Sequence, residues 1–120
     1  MAKWANDLVM DAALDYIAAS TRQTALSGQP ANFAGIAAVL LASITIDSGD
    51  FTKANGDTSG RKVTIGAQSS VSISSSGTAT HVGLDDGSVL RYVTTCTSQA
   101  LTSGGTVTFP AWDIEIADPT

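Results

Sequence analysis

From Asp47 onward the chain is cut into short segments by turn chemistry, and inside each segment apolar and polar residues alternate. The turns are Asp47-Ser48-Gly49-Asp50, Asn55-Gly56-Asp57-Thr58-Ser59-Gly60, Asp85-Asp86-Gly87 and Gly104-Gly105. Between them lie Phe51–Ala54, Arg61–Gly66, Ser70–Ser74, Thr78–Leu84, Ser88–Thr95, Thr106–Phe109 and Trp112–Ile116. Alternation puts every second side chain on one face of a strand. Val71 therefore belongs with Ile73, Val82 with Leu84, and Trp112 with Ile114 and Ile116, while Asp113 and Glu115 point the other way. His81 falls opposite Val82 and Leu84, beside Ala79 and Gly83. Strands at intervals of about 8–12 residues predict an antiparallel sandwich or barrel. Polarity fits that expectation, because 14 Ser, 15 Thr and 11 Gly supply what only 14% charged residues do not. Such a mix suits strands and turns.

The N-terminal part reads differently. Residues 3–19 predict one amphipathic helix, with Trp4, Leu8, Ala12 and Tyr16 on an apolar stripe flanked by Ala5, Val9, Ala13 and Ile17. Lys3, Asp7, Asp11 and Asp15 form the opposite row, which is either a solvated face or an acidic ridge for a basic partner. Thr21–Leu26 predicts a short strand and Ser27-Gly28-Gln29-Pro30 a turn. Residues 31–46 predict a short helix or irregular turn followed by a strand near 40–46. The apolar run Phe33–Ile46 is too short to span a bilayer, so it is a core segment or a subunit interface. The expected fold is mainly β: an antiparallel β-sandwich or barrel of about seven strands with one N-terminal amphipathic α-helix over an open end or face. It forms a single domain over 1–120, the helix at about 3–19 and the β-rich body at about 21–117.

Charge and residue types narrow the chemistry. Six basic against eleven acidic residues give a net charge of −5, which argues against nucleic acid and anionic membrane surfaces as partners. Cys96 stands alone, so neither a disulfide nor a cysteine-based metal site is expected. His81, the single histidine, has no nucleophile turn to serve, and no catalytic residues are assigned. Asn55–Gly60 matches the first half of a calcium loop, but Gly66 stands where a bidentate glutamate is needed, and the same residues make a β-turn. Asp85 and Asp86 read as hairpin residues rather than a catalytic pair. No cofactor fingerprint occurs, and no cofactor or metal is expected.

Five stretches carry a family resemblance: WANDLVMDAALDYI (Trp4–Ile17), Gln29-Pro30, DSGDFTKANGDTSGRKVTIGA (Asp47–Ala67), GTATHVGLDDGSVLRYVTTCTSQAL (Gly77–Leu101) and TSGGTVTFPAWDIEIADPT (Thr102–Thr120). Over nearly its full length the chain resembles small structural proteins of tailed bacteriophages that infect alphaproteobacteria. The apolar Phe33–Leu41 departs from the more Thr-rich segment expected there. The resemblance implies a non-enzymatic head decoration (cement) protein, made in the host cytoplasm and carried on the capsid surface of the virion. Its implied partners are the major capsid protein and its own copies, as a homotrimer. Trp4 and Leu8 on the helix, with Phe33, Ile36, Val39 and Leu40, are the candidate docking residues; the same stripes equally suit the chain's own core. Two rival expectations stand beside it. One is a tail, neck or fibre component, separated by copy number per virion. The other is a carbohydrate-binding module, which needs exposed aromatic platforms from only seven aromatic residues.

Overall fold

The computed structural model describes residues 6–117. Helix α1 (Asp7–Ala18) leads into β1 (Arg22–Leu26), a 3₁₀ turn at Phe33–Gly35 that passes into the single-turn helix α2 (Ile36–Val39), and β2 (Leu40–Thr45). A second 3₁₀ turn at Ser48–Asp50 precedes β3 (Phe51–Asn55), β4 (Arg61–Ile65), β5 (Gln68–Ser72), β6 (Gly77–Asp85), β7 (Leu90–Leu101), β8 (Thr106–Phe109) and β9 (Trp112–Ile116). The mainly β, helix-led architecture expected from the sequence is what forms. Nine strands form among the described residues, against about seven expected in all: the seven segments after Asp47, and β1 and β2 where the sequence predicts strands at 21–26 and near 40–46.

Every strand pairing among the described residues is antiparallel. One layer is the sheet β2-β1-β6-β7. The other consists of β3-β4-β9 and β5-β8, which are two lengths of one ribbon: β4 continues into β5, and β8 into β9. The ribbon breaks at residues 66–67 and 110–111, where Pro110 has no N–H to give a ladder. A bulge between Gln68 and Val71, with Ser70 at φ 57°, bends β5 further.

This kink divides the interior into two cores. Leu14, Ile46, Val63, Ile65, Leu84 and Ile114 form one beneath α1. Ala25, Leu41, Ala42, Val71, Ile73, Ala79, Leu101 and Phe109 form the other between the sheet and the β5-β8 pair. Two cores in a row make the molecule long, 53 × 26 × 23 Å, with a radius of gyration of 15.2 Å; a compact chain of this length would have about 14 Å. One flank of the sandwich is closed by a bridge between Ala42 and Ile73 and by the N–H groups of Ser74 and Ser75 donating to the Leu41 carbonyl. On the opposite flank β7 is the outermost strand and faces β8 and β9.

Local chemistry explains the boundaries. Asn6 caps α1 by accepting from the Leu8 N–H at 2.8 Å, which satisfies one of the helix's free donors. In the β6–β7 hairpin the two carboxylates diverge. Asp85 accepts from the Gly87 N–H, whereas Asp86 accepts from Ser88 and Val89. Those contacts delay β7 to Leu90, and the strand then runs past Thr95 to Leu101, so Cys96 lies inside an exposed stretch rather than at a strand end.

The face assignment around His81 needs correction. Ala79 is buried in the core, and Val82, three residues on, packs against that same core. A register shift between Ala79 and His81 lets the strand change face there.

Candidate interaction surface

Helix α1 lies across β3 and β4, and what it buries is Met10 and Leu14, with Ile17 and Ala18 packed on the adjoining core. The apolar row read from the sequence faces outward instead: Leu8 is 75% exposed, Val9 66% and Tyr16 54%. The cause is electrostatic as well as apolar. Asp11 pairs with Arg61 at 2.9 Å and Asp15 with Lys53 at 2.6 Å, so the carboxylate row turns toward the sheet that carries these cations. Two of the three carboxylates in that row thus hold cations of this same chain. The Asp11 hydrogen bond raises the Arg61 guanidinium above its ordinary value, and Arg61 also donates to Asn55.

The C-terminal turn of α1 is held by Arg91. Its guanidinium donates to the Tyr16 carbonyl, stacks over the Tyr16 ring at 4.1 Å and pairs with Asp86 at 2.7 Å. The Arg91 hydrogen bond, with those from the Val89 and Ser88 N–H groups, lowers the Asp86 carboxyl to about 2.

Residues 33–40 fold onto the outer face of the four-stranded sheet. Arg22, Thr24 and Leu26 alternate away from the core residue Ala25. Phe33 stacks under the Arg22 guanidinium at 5.8 Å, and Arg22 in turn pairs with the fully buried Asp85 at 3.0 Å. Asn32 supports the turn by accepting from the Gly35 N–H. Ile36 is only 2% exposed, so it is part of this internal cover and unavailable to a partner. Val39 and Leu40 are half-buried; the Val39 carbonyl accepts from the Ser27 N–H, and Leu40 pairs with Leu26. Phe33 remains half-exposed in a groove of about 490 Å³ that it shares with Ala34, Val89 and Leu90.

The proposed docking residues therefore divide. Leu8 stands free on α1, Ile36 is buried, and Phe33, Val39 and Leu40 are partly covered. Trp4 lies outside the described residues. The β6–β7 hairpin touches both surfaces, α1 through Arg91 and the Phe33 groove through Val89, which is 45% exposed. Sequence reasoning missed Val89 and Arg91. An apolar residue in a hairpin turn was the available signal for the first, whereas the partner of Arg91 lies 75 positions away.

Elsewhere the sequence candidates are occupied by structural contacts. Asn55 accepts from Arg61, and Asp57 pairs with Lys62 at 2.7 Å, so these two oxygen-bearing side chains of the calcium-like loop already have cationic partners. Lys62 is raised by this contact first and by Asp113 beyond it, while Asp113 is lowered chiefly by the Thr64 hydroxyl. No cluster of metal-ligating side chains occurs among the described residues. His81 Nδ1 lies 2.8 Å from the Thr80 hydroxyl. Trp112 is half-buried and stacks on Tyr92 at 6.0 Å, so it offers no open platform for a sugar ring. No helix among the described residues is long and apolar enough to cross a membrane. Compared with known protein families, with curated proteins and with solved structures, the chain matches none.

Proposed function

We propose that this chain is a non-enzymatic building block of a bacteriophage virion, a decoration protein that sits on the outside of the head and bridges coat subunits, assembling as a homotrimer. The observation that carries the reading is the outward face of α1. Leu8, Val9 and Tyr16 are exposed there, while the aspartates at positions 11 and 15 are engaged in internal ion pairs. That leaves an exposed strip of apolar side chains on a helix anchored to the sheet, bordered by the Asp15–Lys53 ion pair. Covering one such side chain contributes about 1.5–3 kcal/mol. Repetition over many copies turns a modest contact into a durable shell. The resemblance to tailed-phage structural proteins supports the same reading, as does the net charge of −5, which suits a surface turned away from packaged DNA.

Mass spectrometry of purified heads and tails tests it. The expected result is hundreds of copies on heads, lost when Leu8→Ser is introduced. Recovery only in tails, at three to a few dozen copies, overturns it.

A further inference from the structure

The open flank of the sandwich holds a cleft that the docking face does not use. Two cavities of about 210 Å³ each lie side by side there and share Val82, Cys96, Phe109 and Pro110. One wall is β7 and the other is β8–β9, at the break in the ribbon. Gln23 closes the back of one cavity. It is fully buried, yet neither its Nε2 nor its Oε1 has a hydrogen-bond partner. Trp112 lines the same cavity, and its buried Nε1–H is likewise unpartnered. A buried amide without partners is costly, so its presence in a largely apolar wall points to a group that meets it.

The walls define that group. No Asp, Glu, Lys or Arg lines either cavity, which excludes a charged anchor. A carboxamide and an indole N–H together offer donors and an acceptor, matching a neutral group that has both. The flanking edge is a strand edge: among the described residues β7 pairs only with β6, and from Tyr92 to Leu101 it carries no charge and no proline, the usual protections of an edge. About 23 Å of strand lies between Thr94 and Leu101. Only an extended polypeptide presents main-chain donors and acceptors along such a length. A second copy could offer only an edge strand that its own sheet already holds on one side, whereas a segment free of any ladder can enter the cleft and reach Gln23.

We propose that the cleft between β7 and β8–β9 receives an extended, uncharged segment of another protein, which adds to the β7 edge and meets Gln23 and Trp112 with its neutral polar groups. This holds wherever in a virion the chain resides.

The test is selection of a displayed random dodecapeptide library on the wild-type protein, with Gln23→Met as counter-target. Uncharged, β-branched sequences are expected to be enriched. A blocked synthetic copy of one should shift the Trp112 indole and Gln23 carboxamide resonances in ¹H–¹⁵N spectra. It should also slow maleimide labelling of Cys96, which lines both cavities, at least tenfold. Gln23→Met and, separately, Trp112→Phe should each weaken binding at least tenfold while leaving the amide spectrum of the fold intact. Any of four results overturns the proposal: no enrichment over the counter-target; peptides that bind without moving the Trp112 indole; hexanamide reproducing the shifts, which makes this a small-molecule site; or the same shifts from raising protein concentration alone, which makes the occupant a second copy.

Discussion

The two cores differ in composition, and the difference separates a clamped end from an adaptable one. Beneath α1 the interior is Leu14, Ile46, Val63, Ile65, Leu84 and Ile114, ringed by Phe51, Tyr92, Trp112 and Ile116. Branched aliphatic side chains fill that space, and the Asp11–Arg61 and Asp15–Lys53 pairs fasten the helix over it. The far core includes Ala25, Ala42 and Ala79 among its eight buried residues. Small side chains facing the break at Pro110 leave room, and one of the cavities touches both Ala25 and Ala79. Close packing resists change of shape, whereas a lining without contact on one side has already lost part of its dispersion energy. Rigidity and adaptability are thus assigned to opposite ends of one sheet.

Truncation measures that contrast most strongly. Leu14→Ala should cost about 4 kcal/mol, near the upper end for a fully buried leucine, whereas Leu101→Ala beside the existing cavity should cost about 2 kcal/mol. Urea unfolding checks both, and equal costs would break the comparison.

A smaller effect separates the turns. Gly60 has φ +72°, and an added Cβ would lie 1.9 Å from the Ile116 carbonyl oxygen; Gly104 has φ +90° with nothing within 4 Å. Gly60→Ala should cost about 2–3 kcal/mol and Gly104→Ala about 1 kcal/mol, the second being conformational strain alone. Thermal unfolding of the two variants reads the difference.

Acid should act on the helix end first. The Asp86 carboxyl lies at about 2 in the folded chain, below the ordinary value of about 4. A depressed carboxyl stabilises the fold above its unfolded pKa, and that contribution disappears as pH falls through about 4 toward 2. Protection of the Asp86–Leu90 hairpin amides, taken relative to their intrinsic exchange rates, should therefore fall across that window, and Asp86→Asn should remove this loss. The Gly104 turn, where the Ser103 N–H donates to the neutral Ser76 hydroxyl, should show no such step.

The smallest expected change in stability comes at the docking face. Leu8→Ser should alter stability by no more than about 0.5 kcal/mol, because the side chain is 75% exposed. Unaltered unfolding with lost head binding sharpens the distinction between adhesive surface and core.

Strands were legible wherever alternation met a clear turn. Trp112, Ile114 and Ile116 face the core and Asp113 and Glu115 do not, as their order implies. Val71 and Ile73 are likewise buried together. The short helical turn before β2 was also legible. The candidate site was readable only in part. Leu8 could be picked out as an apolar helix residue, but its exposure depended on α1 settling on Met10 and Leu14, with Lys53 and Arg61 holding Asp15 and Asp11. Ile36 carried the same apolar signal and ended buried. Gln23, a polar residue in a short strand, gave no hint that its amide would be enclosed.

Local order of residues determined the strands, the turns and the helix start, because those depend on backbone preferences and on side chains two to four positions apart. Tertiary structure alone decided which face of α1 is covered, where β6 changes face, and which flank of the sandwich stays open. Each of those outcomes is a competition between groups brought together from distant parts of the chain, and the winner is set by packing and charge in three dimensions.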